Sequence, residues 1–351
     1  MTDIGGSRLE KSRTQRRQVK RLALLVAAVL VLGLVVGAGA NLLLGKQKKA
    51  TQAKSTSAKP AVTKASSASS EAESSAKAAR GPTTPQFSIS QSMAHTYALS
   101  VQIGNRPAGS GKEASAGDYI VARLNEYGYA VEEQAFTTSD GFSSRNIVGT
   151  RAGTREGYTI IVGAHYDSQR SGAGAIDDAS GVGVVLELAR VFSVRHLEPA
   201  LQFVFFGANE PGQATEEDRF VGSKRFVDLL GTIEKKDIVA MFALDCVGQG
   251  DVLALRTQGT GLQRLKDQLE TFARAKNTPV TYIKSTTDSD NIAFENSQIP
   301  AVWVEWCEQG GSPAPDNGYT GVVAQKEETA GLLVEKFLLE LSPQDLEELK
   351  Y

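Results

Sequence analysis

Four short stretches of this sequence carry residue types that bind cations or move protons. They read Gly163-Ala164-His165-Tyr166-Asp167-Ser168, Ala175-Ile176-Asp177-Asp178-Ala179-Ser180-Gly181, Gly207-Ala208-Asn209-Glu210-Pro211-Gly212 and Asp245-Cys246-Val247-Gly248. One imidazole and several carboxylates make the donor set of a divalent-cation centre. Taken singly, each has an ordinary explanation: Asp177 and Asp178 as acids at a helix N-terminus, Asp245 as a turn residue, His165 as a hydrogen-bonded core histidine. Taken together they call for positive charge, because crowded carboxylates raise one another's pKa unless a cation neutralises them. A serine hydrolase built on Ser180 is excluded, since its surroundings lack the glycine spacing of a nucleophile elbow and no histidine is left over.

The elements that must position these residues are legible as apolar runs. Residues 159–163, 201–206, 238–244 and 301–304 read as strands, and three of the four polar stretches begin where such a run ends. Helical spacing recurs in Val182, Val185, Leu186, Ala189 and Phe192, in Leu262, Leu265, Leu269 and Phe272, and over 323–341. Alternation of strands and helices predicts an α/β domain, a mostly parallel sheet with helices on both faces. In such sheets ligand sites form outside the C-terminal strand ends, which is where the acids and the histidine fall.

The foldable part does not span the whole chain of 351 residues. The first aromatic residue is Phe87, and more than eighty residues without Phe, Trp or Tyr do not build a globular core, so the domain is expected over 85–351. Residues 1–60 hold 12 Lys or Arg against 2 acids, a net +10, so the remainder carries −12 to reach the overall −2. A basic arm confined to one end beside an apolar run argues for a membrane flank and against nucleic-acid binding. Residues 22–45 contain no charge and are dominated by Leu, Val and Ala, long enough to cross a hydrocarbon core of about 30 Å as one transmembrane helix. Arg13, Arg16, Arg17, Lys20 and Arg21 precede it. They predict a cytoplasmic segment 1–21 and an extracytoplasmic C-terminal domain on a single-pass anchor. A cleaved leader ending at Ala38-Gly39-Ala40 is the competing reading. Residues 46–84, rich in Ser, Ala and Lys, are expected to be a disordered tether spanning about 35 Å. Cys246 and Cys307 are the only cysteines, too few for a disulfide framework, and are expected either as buried free thiols or as one pair.

With these motifs assembled, the chain from about His95 to Leu341 resembles the zinc aminopeptidases of metallopeptidase family 28, whose relatives include glutaminyl-cyclase-like and transferrin-receptor-like proteins. Asn105-Arg106-Pro107-Ala108-Gly109-Ser110, Gly222-Ser223 and Ser289-Asp290-Asn291 with Phe294 and Ile299-Pro300 complete the resemblance. It implies a single three-layer domain with a mixed sheet of about eight strands. It implies that His165 and Asp245 bind one zinc, Asp177 bridges two, Glu210 binds the second, and Asp167 fixes the imidazole tautomer. It also implies a cis peptide bond between Asp177 and Asp178. The activity it implies is release of N-terminal residues from peptides, with a peptide or protein as the partner.

Three positions depart from the family pattern. Asn209 stands where the general base is expected, and an amide has no basic lone pair at neutral pH. Ser312 stands at a histidine ligand position and Gly311 at a tyrosine, in Gly311-Ser312-Pro313-Ala314-Pro315-Asp316. Neither His95 nor His196 is placed to substitute. The expected centre is therefore His165, Asp177, Asp245 and Glu210 around one zinc or another divalent metal. Glu305 and Glu308 are candidate substitute bases, or else solvated loop charges. The function expected is impaired amide hydrolysis or, alternatively, binding of a peptide or protein partner in the old cleft.

Overall fold

Side chains alternate sharply along the central strands. In β5 (Ile238–Leu244), Ala240, Phe242 and Leu244 join one apolar cluster while Met241 and Ala243 join another. A strand buried on both faces needs a helical layer on each side. The computed structural model supplies those layers and describes residues 84–210, 219–287, 289–316 and 318–351. The basic segment, the apolar span 22–45 and the tether, except its last residue, lie outside the described residues. Among the described residues no helix is long and apolar enough to cross a membrane.

The chain enters through α1 (Ile89–Tyr97), which runs into a wider turn at Ala98–Ile103, and α2 (Gly111–Glu126). Strands β1 (Ala130–Thr137), β2 (Ser143–Arg151) and β3 (Thr159–His165) follow, then α3 (Ser180–Phe192) and β4 (Ala200–Phe206). After α4 (Val221–Leu229) and α5 (Thr232–Asp237) come β5 and β6 (Val252–Thr257), α6 (Arg264–Ala275) and β7 (Thr281–Lys284). The domain closes with α7 (Asn291–Asn296), β8 (Ala301–Cys307), α8 (Ala324–Glu340) and α9 (Pro343–Lys350).

The eight strands form one sheet in the order β1-β2-β4-β3-β5-β8-β6-β7. Its centre, β4-β3-β5-β8, is parallel throughout, while β1-β2-β4 and the β8-β6 pair are antiparallel. The expectation of about eight strands with helices on both faces is met. Helices α2, α3, α6, α8 and α9 supply side chains to the larger apolar cluster, α4 and α7 to the smaller. Two details differ from the expectation. The strand read at 301–304 continues to Cys307, because the alternation of Val302 and Val304 into one cluster and Trp303 into the other carries on past the charged Glu305. The domain also ends on α9, beyond 323–341, capped by Ser342 and Asp345 and anchored through the buried Leu346 and Leu349.

Two of the fold's features generate tests. Phe242 is fully buried at the sheet centre, with its ring 5.7 Å from that of Phe337 on α8. Phe242→Ala is expected to lower unfolding free energy by about 3–5 kcal/mol in urea titration, and a loss under about 1 kcal/mol would contradict this packing. Glu327, on α8, is buried and accepts hydrogen bonds from Ser92 Oγ (2.5 Å) and Thr96 Oγ1 (2.8 Å). Burial raises its pKa from 4.5 to about 7. A raised acid favours the fold below the unfolded pKa, and that contribution is lost as pH rises through the folded value. Glu327→Gln should therefore flatten the fall in melting temperature between about pH 5 and about pH 7; an unchanged slope would show that Glu327 does not titrate there.

Candidate metal centre

The parallel strands deliver their C-terminal ends to one edge of the sheet. His165 is the last residue of β3, Asn209 and Glu210 follow β4, and Asp245 follows β5. Asp177 and Asp178 lie in the turn Ala175–Ala179 that opens α3, and the peptide bond between them is cis, as the resemblance implies. Gly181 lets this turn approach β5. A Cβ there would stand 2.1 Å from the Leu244 carbonyl oxygen and 2.4 Å from Asp178 Oδ1, so no side chain fits.

His165 is almost completely buried. Its Nδ1 lies 3.3 Å from Asp167 Oδ1; its Nε2 lies 3.0 Å from Asp177 Oδ1 and 3.8 Å from Asp245 Oδ1. An Nδ1–H donated to Asp167 leaves the Nε2 lone pair facing the other two acids, the tautomer that metal binding requires. Asp167 also accepts from the backbone N–H groups of Asn209 (3.0 Å) and Glu210 (2.9 Å). One carboxylate thus sets both the imidazole and the loop after β4.

The remaining acids show how much negative charge has been gathered. Asp178 Oδ1 accepts from Gly181 N–H (2.9 Å) and Cys246 N–H (3.2 Å), and Asp245 Oδ2 accepts from Ser289 Oγ (2.6 Å). Asp178 Oδ2 and Asp245 Oδ1 are buried with no hydrogen-bond partner among the described residues. Burial and the charge of Asp177 push Glu210 up to about 8. Burial, with the neighbouring acids Asp245 and Asp177 added, pushes Asp178 well above the carboxylate range. Burial works against the charged form of His165, yet its bonds to Asp167 and Asp177 and the charge of Asp245 hold its pKa well above the ordinary value. Orphaned carboxylate oxygens beside an imidazole fit a divalent cation, because a cation satisfies oxygen acceptors that no donor reaches.

The structure brings His165, Asp177 and Glu210 into one group of potential donors, and His165, Asp178 and Asp245 into another, each with its donor atoms within 4.8 Å of one another. A third such group joins Asp177 and Asp245 to Cys246, a residue to which sequence reasoning assigned no part. Ser312 is exposed, and its carbonyl accepts from Glu308 N–H at 2.9 Å. Asn209 is buried and its Nδ2 has no partner among the described residues. The candidate substitute base Glu305 is not a solvated loop charge: it lies in β8, fully buried, ion-paired with Arg256. Burial of an acid in a strand selects a paired cation, and Arg256 on the adjacent β6 supplies it. Ser180 is likewise committed, donating to the Ile176 carbonyl (2.7 Å) and accepting from Val247 N–H (3.1 Å).

Two further residues gain a part that the sequence did not assign them. Arg106, fully buried, donates to the carbonyls of Tyr166, Leu99, Gly104, Ala173 and Gly174, at 2.7–3.0 Å. It therefore braces the segment between His165 and Asp177. Asp290, buried near His165, Asp245 and Asp167, is raised to about 7 by burial. Both stood in motifs already noted, but a motif does not reveal which carbonyls a guanidinium will reach. Cys246 and Cys307 are both free and buried, as one of the two expectations had it.

Comparison with known proteins agrees with this geometry. The family model described as Peptidase family M28 matches residues 146–328. Leupeptin-inactivating enzyme 1 of Streptomyces exfoliatus is 32% identical over 176 residues, 48% of this chain and 38% of that protein. Aminopeptidase YwaD of Bacillus subtilis is 36% identical over 139 residues, 37% of this chain and 28% of that protein. The chain thus spans less than two fifths of the length of these curated relatives. Among solved structures, the zinc aminopeptidase BSAP from Bacillus subtilis superposes with a TM-score of 0.65 at 17% identity, covering 72% of this chain and 95% of that one.

If Asp167 sets the imidazole and the loop together, Asp167→Asn should weaken zinc affinity by about 10- to 100-fold, measured by competition with a chromophoric chelator. An unchanged affinity in a variant that melts like the parent would show that Asp167 does not orient His165.

Proposed function

The chain belongs to peptidase family M28, and from that membership and the geometry above we propose that it is a metal-dependent amide hydrolase that releases N-terminal residues from peptides, slowed because its proton-accepting position holds an amide. The observation that carries this reading is the buried imidazole, held at Nδ1 by Asp167 and facing Asp177 and Asp245 with Nε2. In this reading His165, Asp177, Asp245 and Glu210 hold zinc. Bound there, zinc supplies the Lewis acidity that polarises a peptide carbonyl. Asn209, fixed through its backbone by Asp167, orients water or substrate through its amide without taking a proton. A cleft of about 470 Å³ lined by Asp177, Cys246, Gly174, Pro313 and Asp316 gives a peptide access to the centre. In the same reading the domain works outside the cytoplasm, tethered through residues 22–45.

Binding of a peptide or protein without turnover is the competing reading. It is favoured by Asn209 Nδ2, which has no partner among the described residues, together with the commitment of Glu305 to Arg256, which leaves that acid unable to serve as base.

The two readings separate on one variant. The purified chain should carry zinc and hydrolyse aminoacyl-nitroanilides slowly, and Asn209→Glu should raise the rate by about 10²- to 10⁴-fold, the usual worth of a positioned base. Zinc bound by both proteins with turnover in neither would replace hydrolysis by binding. Wild-type turnover that survives chelation would remove the metal from the mechanism.

A further inference from the structure

Cys246 follows Asp245 directly at the end of β5, and its backbone is held in the left-handed region at φ 58°. That conformation is unfavourable for a residue with a side chain, so it persists where contacts enforce it. Here the N–H of Cys246 donates to Asp178 Oδ1 (3.2 Å) and its carbonyl accepts from Trp306 N–H (3.1 Å). The thiol thereby lines the same cleft as Asp177. Asp177, Asp245 and Cys246 bring one donor atom each to within 4.8 Å of one another. Asp245 Oδ1, on a residue only 7% exposed, has no hydrogen-bond partner among the described residues, while its Oδ2 accepts from Ser289 Oγ. An orphaned carboxylate oxygen beside a thiol is a pair that a borderline-soft cation satisfies and that water or a hard cation satisfies less well.

We propose that the Cys246 sulfur is a metal donor, acting with Asp177 and Asp245 in a centre that lacks the histidine expected at Ser312. The inference rests on the metal-centre reading above and extends it. On binding, an Sγ–metal bond forms, the S–H bond breaks and its proton leaves to solvent water. Donor atoms this close are within reach of a single cation. Ser312, exposed and absent from the cleft lining, is not placed to make that bond. The consequence is selectivity: a thiolate donor shifts preference toward zinc, cadmium and cobalt and away from calcium, magnesium and manganese.

The two cysteines make the experiment self-controlled. Cys307 is fully buried at the end of β8 and belongs to none of the donor groups. The metal-free full-length chain is titrated with Co²⁺ and followed by absorption. A thiolate-to-cobalt charge-transfer band in the near ultraviolet is expected in the parent and in Cys307→Ser, and its loss in Cys246→Ser. Zinc affinity, by chelator competition, should fall at least about tenfold in Cys246→Ser. Visible cobalt ligand-field bands in the parent without the charge-transfer band would overturn the assignment while leaving the metal centre intact. Absence of any cobalt or zinc binding would remove both. Because the parent spectrum alone decides whether sulfur is bound, a Cys246→Ser variant that fails to fold does not blunt the test.

Discussion

The Asp167 carboxylate meets Nδ1 of His165 on one side and accepts the backbone N–H groups of Asn209 and Glu210 on the other. It is completely buried, and a carboxylate is stable in such a place only when charge-assisted hydrogen bonds replace its hydration. That requirement couples two loops from adjacent parallel strands. The imidazole cannot turn without disturbing the loop after β4, and that loop cannot move without leaving a buried charge unsatisfied. The precision of the site therefore comes from this one side chain more than from any metal ligand.

Around it, the sheet edge collects Asp177, Asp178, Glu210, Asp245 and Asp290. The buried Arg106 does not hydrogen-bond any of them, since its donors reach backbone carbonyls. Burial works against the charged form of Asp177, yet the hydrogen bond and charge of His165, with the fields of Arg219 and Arg106 added, hold its pKa low. Raised pKa values at Glu210, Asp178 and Asp245 show the fold holding these groups against their electrostatic preference. Such an arrangement is the usual mark of a functional centre rather than of a stabilising network.

Much of this was legible in the sequence, and the reason is the parallel strand. A strand buried on both faces reads as an apolar run, and the first polar residue after it marks the sheet edge, which located His165, Asp245 and the Asn209-Glu210 pair. The outer strands were harder. β1 exposes most of its residues and β7 spans only Thr281–Lys284, so neither has an apolar run to find. Glu305 misled for a related reason. A single acid after Val304 looks like the start of a loop, and only the cross-strand Arg256, whose guanidinium also stacks 5.0 Å from the Trp303 ring, keeps it in the core. Cys246 reads from the sequence only as a buried thiol or a partner for Cys307, because nothing in a one-dimensional pattern says that a thiol one residue after Asp245 will come close to Asp177.

The altered positions differ in kind, and the difference bears on what the chain retains. Asn209 is buried and its backbone N–H is held by Asp167, so its position is set by the site and its side chain is an amide that takes no proton at neutral pH. Ser312 lies on an exposed loop whose base is nevertheless anchored, since Arg256, paired with buried Glu305, donates to the Gly311 carbonyl at 2.5 Å. A buried ion pair is costly to desolvate and is kept where it fixes a geometry. Position 209 is thus held by the hydrogen bonds of the site itself, and position 312 only through the loop that Arg256 ties to the sheet.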